Sequence, residues 1–152
     1  MSPISPARQF VILMDELARI RGRIGTAFSV ARKDEKLTEV EWVVFNAVAG
    51  AAQPPTVPQI GRSLGHARQV VQRAATRLVD DGLAAWIDNP DHKRALRLVA
   101  TVEGQALKAR ADAEGLRIAS ALVEGLDPAL IDSTARAVRS IREHLEAKIR
   151  QG

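Results

Sequence analysis

Between Ser5 and Lys36 the apolar residues Phe10, Met14, Leu17, Ile24 and Phe28 recur three to four positions apart, or at multiples of that spacing. This is the period of one helix face. Ser5-Pro6 adds an N-cap and a proline at the first helical position. A helix over about Ser5 to Lys36 is expected. Gly22 and Gly25 fall inside it; each costs about 1 kcal/mol relative to alanine, so they imply close packing or a bend. Thr38-Glu39-Val40-Glu41 has the form of a capping box. Trp42, Val43, Phe45, Ala47, Val48 and Ala49 continue it as an apolar helix, which Gly50 and Gln53-Pro54-Pro55 end. Thr56-Val57-Pro58-Gln59 repeats the capping pattern and opens a short helix through Ile60 and Leu64, broken by Gly65. The next helix is predicted from about Ala67 to Asp81, with Val71, Ala74, Ala75 and Leu78 inward. Arg68, Gln69, Gln72, Arg73, Thr76 and Arg77 take the other side.

After Gly82 the period shortens. Leu83 to Asp88 and Leu96 to Ala100 read as two strands around the turn-rich tip Asn89-Pro90-Asp91-His92-Lys93-Arg94. The loop exceeds two residues, so its turn type stays open. Thr101 caps a long alanine-rich helix to about Glu124, interrupted by Gly115. Asp127-Pro128 caps the last one, whose stripe is Ile131, Ala135, Val138, Ile141, Leu145 and Ile149, with Arg136, Arg139 and Arg142 beside it.

The 152 residues are 46% apolar and 26% charged, enough for one packed domain with an extension. There is no cysteine, which removes disulfides, a thiolate nucleophile and a zinc–thiolate cluster. The longest early apolar run, Phe10 to Met14, is closed by Asp15 and Glu16, so neither a signal peptide nor a membrane span is expected. A cytoplasmic protein without membrane partners is the expectation. Net charge is +4, and 17 of the 22 basic residues are arginine. The arginine fork matches phosphates and guanine edges. Residues 60–98 hold seven basic against four acidic side chains, and residues 1–36 also reach +3.

Two short helices, a tight break, a helix with a polar outer face and a hairpin with a basic tip make a winged helix-turn-helix. The fold class expected is mainly α with a small β-hairpin wing, carried between N- and C-terminal helices. A major groove admits one helix. Arg68, Gln69, Gln72, Arg73 and Arg77 are the candidate reading residues, and Lys93 and Arg94 the wing contacts. The plainer alternative is a solvated helix face and a surface turn in which Arg94 pairs with Asp91. Gln59, Arg62 and Ser63 fit phosphate contacts or plain exposure equally.

The stretch from Leu37-Thr38 through Ile60-Gly61-Arg62-Ser63-Leu64, Ala67 to Arg73, Leu78 to Leu83 and Asp88 to Ala95, ending at Thr101-Val102-Glu103-Gly104, resembles the MarR family of bacterial transcriptional regulators. The wing tip is its most specific part. The resemblance implies an arginine at the minor groove, which maps to Arg94, and an acidic residue supporting the wing, which maps to Asp91. Residues 99–104 read Val-Ala-Thr-Val-Glu-Gly where a Leu-Thr-Pro-Glu-Gly form is usual. It also implies a dimerisation region at 1–36 and 102–152 around a DNA-binding lobe at 37–101. The implied partners are a roughly palindromic double-stranded operator, a second copy of the chain, and in many relatives a small aromatic or phenolic effector. Repression or other control of nearby genes is the implied role. The residues lining any effector site are not legible.

His66, His92 and His144 are far apart, and a metal site would need them to converge with carboxylates; no metal or other cofactor is expected. Trp42, Phe45 and Trp86 fit core positions better than a ligand pocket. No catalytic residues are assigned, because Glu143-His144 has no nucleophile beside it and no phosphate-cradling loop is present. The rival readings are a ligand-binding or protein-interaction dimer without DNA binding, and a small enzyme built on the helices.

Overall fold

The structure, a computed structural model, describes residues 4–29 and 36–151. Its elements are α1 (Pro6–Phe28), α2 (Glu39–Ala49), α3 (Val57–Leu64), α4 (Arg68–Asp80), β1 (Ala84–Ile87), β2 (Arg97–Ala100), α5 (Val102–Leu122) and α6 (Pro128–Gln151). The chain divides into two compact units, Met1–Leu116 and Arg117–Gly152.

In the first unit both capping boxes form. The Thr38 hydroxyl accepts from the Glu41 N–H at 3.3 Å, and the Glu41 carboxylate accepts from the Thr38 N–H at 2.7 Å. Thr56 and Gln59 repeat this at 3.4 and 2.8 Å. Each box satisfies N–H groups that a helix start leaves open. Gly65, with φ +69°, closes α3 in the left-handed region, where a side chain is strained. The chain can then turn at once into α4.

The inward positions expected on α4 are the buried ones: Val71, Ala74, Ala75 and Leu78. They meet Val44, Phe45 and Val48 of α2, Val57 and Ile60 of α3, Ala84 of β1, Leu98 of β2 and Leu107 of α5 in one core. Phe45 lies fully inside, with the half-buried Trp42 ring 5.5 Å away and tilted by 45°. Trp86 packs against the same core, so these aromatics are structural. Burying a side chain such as Phe45 or Leu78 contributes roughly 1.5–3 kcal/mol.

β1 and β2 pair antiparallel, Ala84 with Ala100 through Ile87 with Arg97. The sheet has a further edge. Thr56 bridges to Arg97, and the Leu98 N–H donates to the Pro55 carbonyl at 2.8 Å. Proline has no N–H to give, but its carbonyl accepts. The hairpin is thereby fastened to the start of α3.

Thr101 joins α5 to the turn after α4. Its hydroxyl donates to the Gly82 carbonyl at 2.5 Å and accepts from the Gly104 N–H at 3.1 Å. A Cβ on Gly104 would lie 2.1 Å from the Leu83 carbonyl oxygen, so only glycine allows this approach. The departure from the usual motif at Ala100 and Val102 leaves the joint intact.

Three sequence expectations change. α1 stops at Phe28, capped by the Ser29 N–H on the Gly25 carbonyl, and Lys36 is not helical; residues 30–35 lie outside the described residues. A Cβ on Gly22 or Gly25 would meet nothing within 4 Å, so neither marks a close contact among the described residues. α5 runs through Gly115 unbroken, with the Phe28 ring 3.6 Å from where a Cβ would stand. Backbone hydrogen bonding tolerates an isolated helical glycine.

In the second unit the Asp127 carboxylate accepts from the Ala129 N–H at 2.9 Å and starts α6. Arg136 pairs with Asp132, and Arg142 with Glu146 at 2.7 Å, each one turn apart. Val138 and Ile141 are half-buried, while Leu130, Ile131, Leu145 and Ile149 are exposed. Among the described residues, no helix is long and apolar enough to cross a membrane.

Candidate nucleic-acid interface

With the inner side of α4 fixed in the core, its outer side is fixed too. At about 100° per residue, Gln69, Arg73 and Thr76 lie within about 30° of the direction opposite the core. Gln72 and Arg77 flank them on opposite sides by about 70°, and Arg68 lies further round on the Gln72 side. All six are exposed. Arg68, Gln69, Gln72 and Arg73 line one surface hollow over the N-terminal half of the helix. Arg77 does not join them. It donates from Nε to the Asp81 carboxylate at 3.0 Å, in the last turn. The first two turns of α4 thus offer two guanidinium groups and two amides, and its end is acidic.

Ala67, the N-cap of α4, makes no side-chain cap bond. The first N–H groups of the helix are left to other partners. His66, half-buried just before it, donates its backbone N–H to the Gly61 carbonyl at 3.0 Å. Gln59 is occupied as the capping residue of α3, while Arg62 and Ser63 are exposed.

The wing tip is built from turns. Asn89 is buried, and its side-chain oxygen accepts from the Asp91 N–H at 3.1 Å. The His92 N–H donates to the Asn89 carbonyl, and the Ala95 N–H to that of His92. This presents His92, Lys93 and Arg94 to solvent. The Asp91 carboxylate is held, but not by Arg94: it accepts from an Arg97 Nη at 2.7 Å. The pairing weighed for Arg94 is therefore replaced by one to a strand residue, and Arg94 has no ion pair among the described residues. Sequence reasoning missed Arg97. The hairpin's loop length left its register open, so nothing placed Arg97 opposite Asp91.

No group of three or more His, Asp or Glu side chains among the described residues could hold a metal ion. A second hollow, of about 710 Å³, lies where the end of α2, α3 and the wing base meet, and Gln53, Gln59, Ser63, Asp91 and Arg97 supply its polar lining.

A helix-turn-helix whose second helix has a polar outer face, followed by an antiparallel wing and preceded and followed along the chain by long helices, defines a winged helix-turn-helix protein. The MarR family profile matches residues 36–95, the stretch from just before α2 to the wing tip. The chain belongs to the MarR family, whose members are transcription regulators. An uncharacterized Mycobacterium tuberculosis protein, Rv2011c, is 32% identical over 143 residues, covering 90% of this chain and 99% of that one. Among solved structures, Rhodococcus jostii CouR bound to p-coumaroyl-CoA is 20% identical with TM-score 0.73, over 82% of this chain and 87% of that one. Staphylococcus aureus MarR in complex with salicylate and kanamycin is 17% identical with TM-score 0.74, over 93% and 97%. These likenesses establish the fold.

Proposed function

We propose that the protein is a sequence-specific double-stranded DNA-binding regulator that acts as a homodimer and represses genes beside its operator. Residues 37–101 form the DNA-binding lobe, and residues 1–36 and 102–152 the dimerisation region. The observation that carries the reading is α4: one side closes the core, and the other gathers Arg68, Gln69, Gln72 and Arg73 over its first two turns. In a major groove arginine can bond guanine twice and glutamine can bond adenine twice. Lys93 and Arg94 extend the contact to the minor groove or backbone, with Asp91 supporting the wing. Arg77, tied to Asp81, plays the least part of the candidate set.

Dimerisation is supported by the exposed apolar side chains of α1, among them Phe10, Met14, Ile20 and Ile24, and separately by those of α6. Two-fold symmetry would set the reading helices about one turn of DNA apart, roughly 34–36 Å, on a palindromic site. The p-coumaroyl-CoA in the CouR structure and the salicylate in the Staphylococcus aureus MarR structure support an aromatic effector; on this reading it releases DNA.

Selection of bound sequences from a random duplex pool, repeated with salicylate and related aromatic acids, tests the reading. A palindromic site enriched without acid and depleted with it is expected. Binding to no duplex at low salt would reject DNA binding and leave the dimer as a ligand- or protein-binding module.

A further inference from the structure

Asp91 stands in the wing tip two residues before Lys93 and three before Arg94. Its carboxylate reaches out of the tip to Arg97 at 2.7 Å. Arg97 is the first residue of β2. Its backbone pairs with Ile87 on one side and bridges to Thr56 on the other, and Thr56 is the N-cap of α3. The Arg97 side chain is 22% exposed, against 80% for Asp91, so the guanidinium is the fixed member and the carboxylate the one it holds. An ion pair this open to water adds little to stability. Its consequence is geometric: it ties a loop of turns to a strand that is itself fastened to the helix-turn-helix.

We propose that Arg97 is a positioning residue. Through Asp91 it sets where Lys93 and Arg94 reach on the duplex, and it references that position to the start of α3. This rests on the DNA-binding reading above. Charge alone makes the opposite demand. Replacing Asp91 by Asn removes a negative charge beside a polyanion and would tighten binding. Release of the clamp weakens it instead, because the tip must then be ordered at the moment of binding.

The test is fluorescence anisotropy of the full-length protein on a duplex selected from a random pool, for wild type, D91N, R97Q, D91N/R97Q, R94A, D91N/R94A and the swap D91R/R97D. D91N and R97Q are each expected to raise Kd about five- to tenfold, with the double variant no worse than either. In the R94A background D91N has a smaller further effect, left to Lys93 alone, and the swap recovers most of the affinity. Tighter binding by D91N, or additive losses in the double variant, overturns the inference while DNA binding stands. So does a salt dependence that falls by one contact in R97Q with D91N unimpaired, since Arg97 would then touch phosphate itself. Should R97Q fail to fold, D91N, altered at an exposed side chain, decides by the sign of its effect. A wild type that binds no duplex overturns the DNA reading and this inference together.

Discussion

The helix-turn-helix lobe and the long terminal helices spend the same apolar residue types differently. In the lobe Val44, Phe45, Val71, Leu78 and Leu98 are fully enclosed within one chain. In α1 no residue is buried: Phe10 is 37% exposed, Met14 52% and Ile24 49%. In α6 Ile131 and Ile149 are likewise open. The lobe closes its core among α2, α3, α4 and the hairpin, with Leu107 of α5. A long helix with an uncovered stripe has an unmet burial demand, which in a family of regulators points to a second copy. Under the proposed dimer, stability and assembly depend on different parts of the chain, and substitutions can separate them.

The largest separable effect falls in the lobe. Phe45→Ala removes a fully buried ring between α2 and the rest of the core and should lower unfolding free energy by about 3–5 kcal/mol, read by urea titration. A loss under about 1 kcal/mol would mean that the lobe is loosely packed and the contrast with α1 is unreal. Next comes the stripe. Met14→Asp or Ile24→Asp should leave the lobe's secondary structure intact while weakening self-association by about 2 kcal/mol or more, measured by light scattering against concentration. A wild type that stays monomeric at every concentration would remove dimerisation.

Arg73→Ala lies between these regions in kind, since it touches neither core nor stripe. It should weaken operator binding by about 1–3 kcal/mol and relax preference at one base pair. Equal weakening on random duplex would assign Arg73 to phosphate. Arg94→Ala should weaken binding on all sequences and lower the slope of log K against log salt by about 0.9. An unchanged slope would take the wing tip out of the contact set.

Much of the lobe was legible because its signals are local. Thr38–Glu41 and Thr56–Gln59 act over three residues, and the apolar period of α4 named all four of its buried side chains. The wing's inner geometry was not. Which strand residue faces which depends on a turn that the residues from Asp88 to Leu96 do not encode by type, so the partner weighed for Asp91 is Arg94, three residues on, rather than Arg97 across the hairpin. The third edge, at Pro55 and Thr56, was hidden because proline argues against strand pairing, although its carbonyl still accepts. Gly22 and Gly25 are a different case: glycine in a helix signals a close neighbour only where something approaches, and among the described residues nothing comes within 4 Å of a Cβ at either.

Arg77 gives the smallest expected effect and the sharpest check on how α4 faces DNA. By residue type it belongs with Arg68 and Arg73. By position it lies about 70° from the outward direction, on the flank away from Gln72. Its Nε is engaged by Asp81 at 3.0 Å, and Asp80 stands beside it in the sequence. A phosphate there would have to displace Asp81 and approach two carboxylates, which offsets most of the guanidinium's attraction. Arg77→Ala should therefore change operator affinity by less than about 0.5 kcal/mol. Its effect on stability should be as small, the usual worth of an exposed pair one helical turn apart. Titrated beside Arg73→Ala on the same duplex, it should lose less affinity, by at least about twofold. If the two lose affinity equally, the helix presents its C-terminal flank to the groove and the docking through Gln69 and Arg73 is wrong. If Arg77→Ala binds tighter, the freed Asp81 does not matter, and the salt bridge was holding a side chain in the way of the backbone.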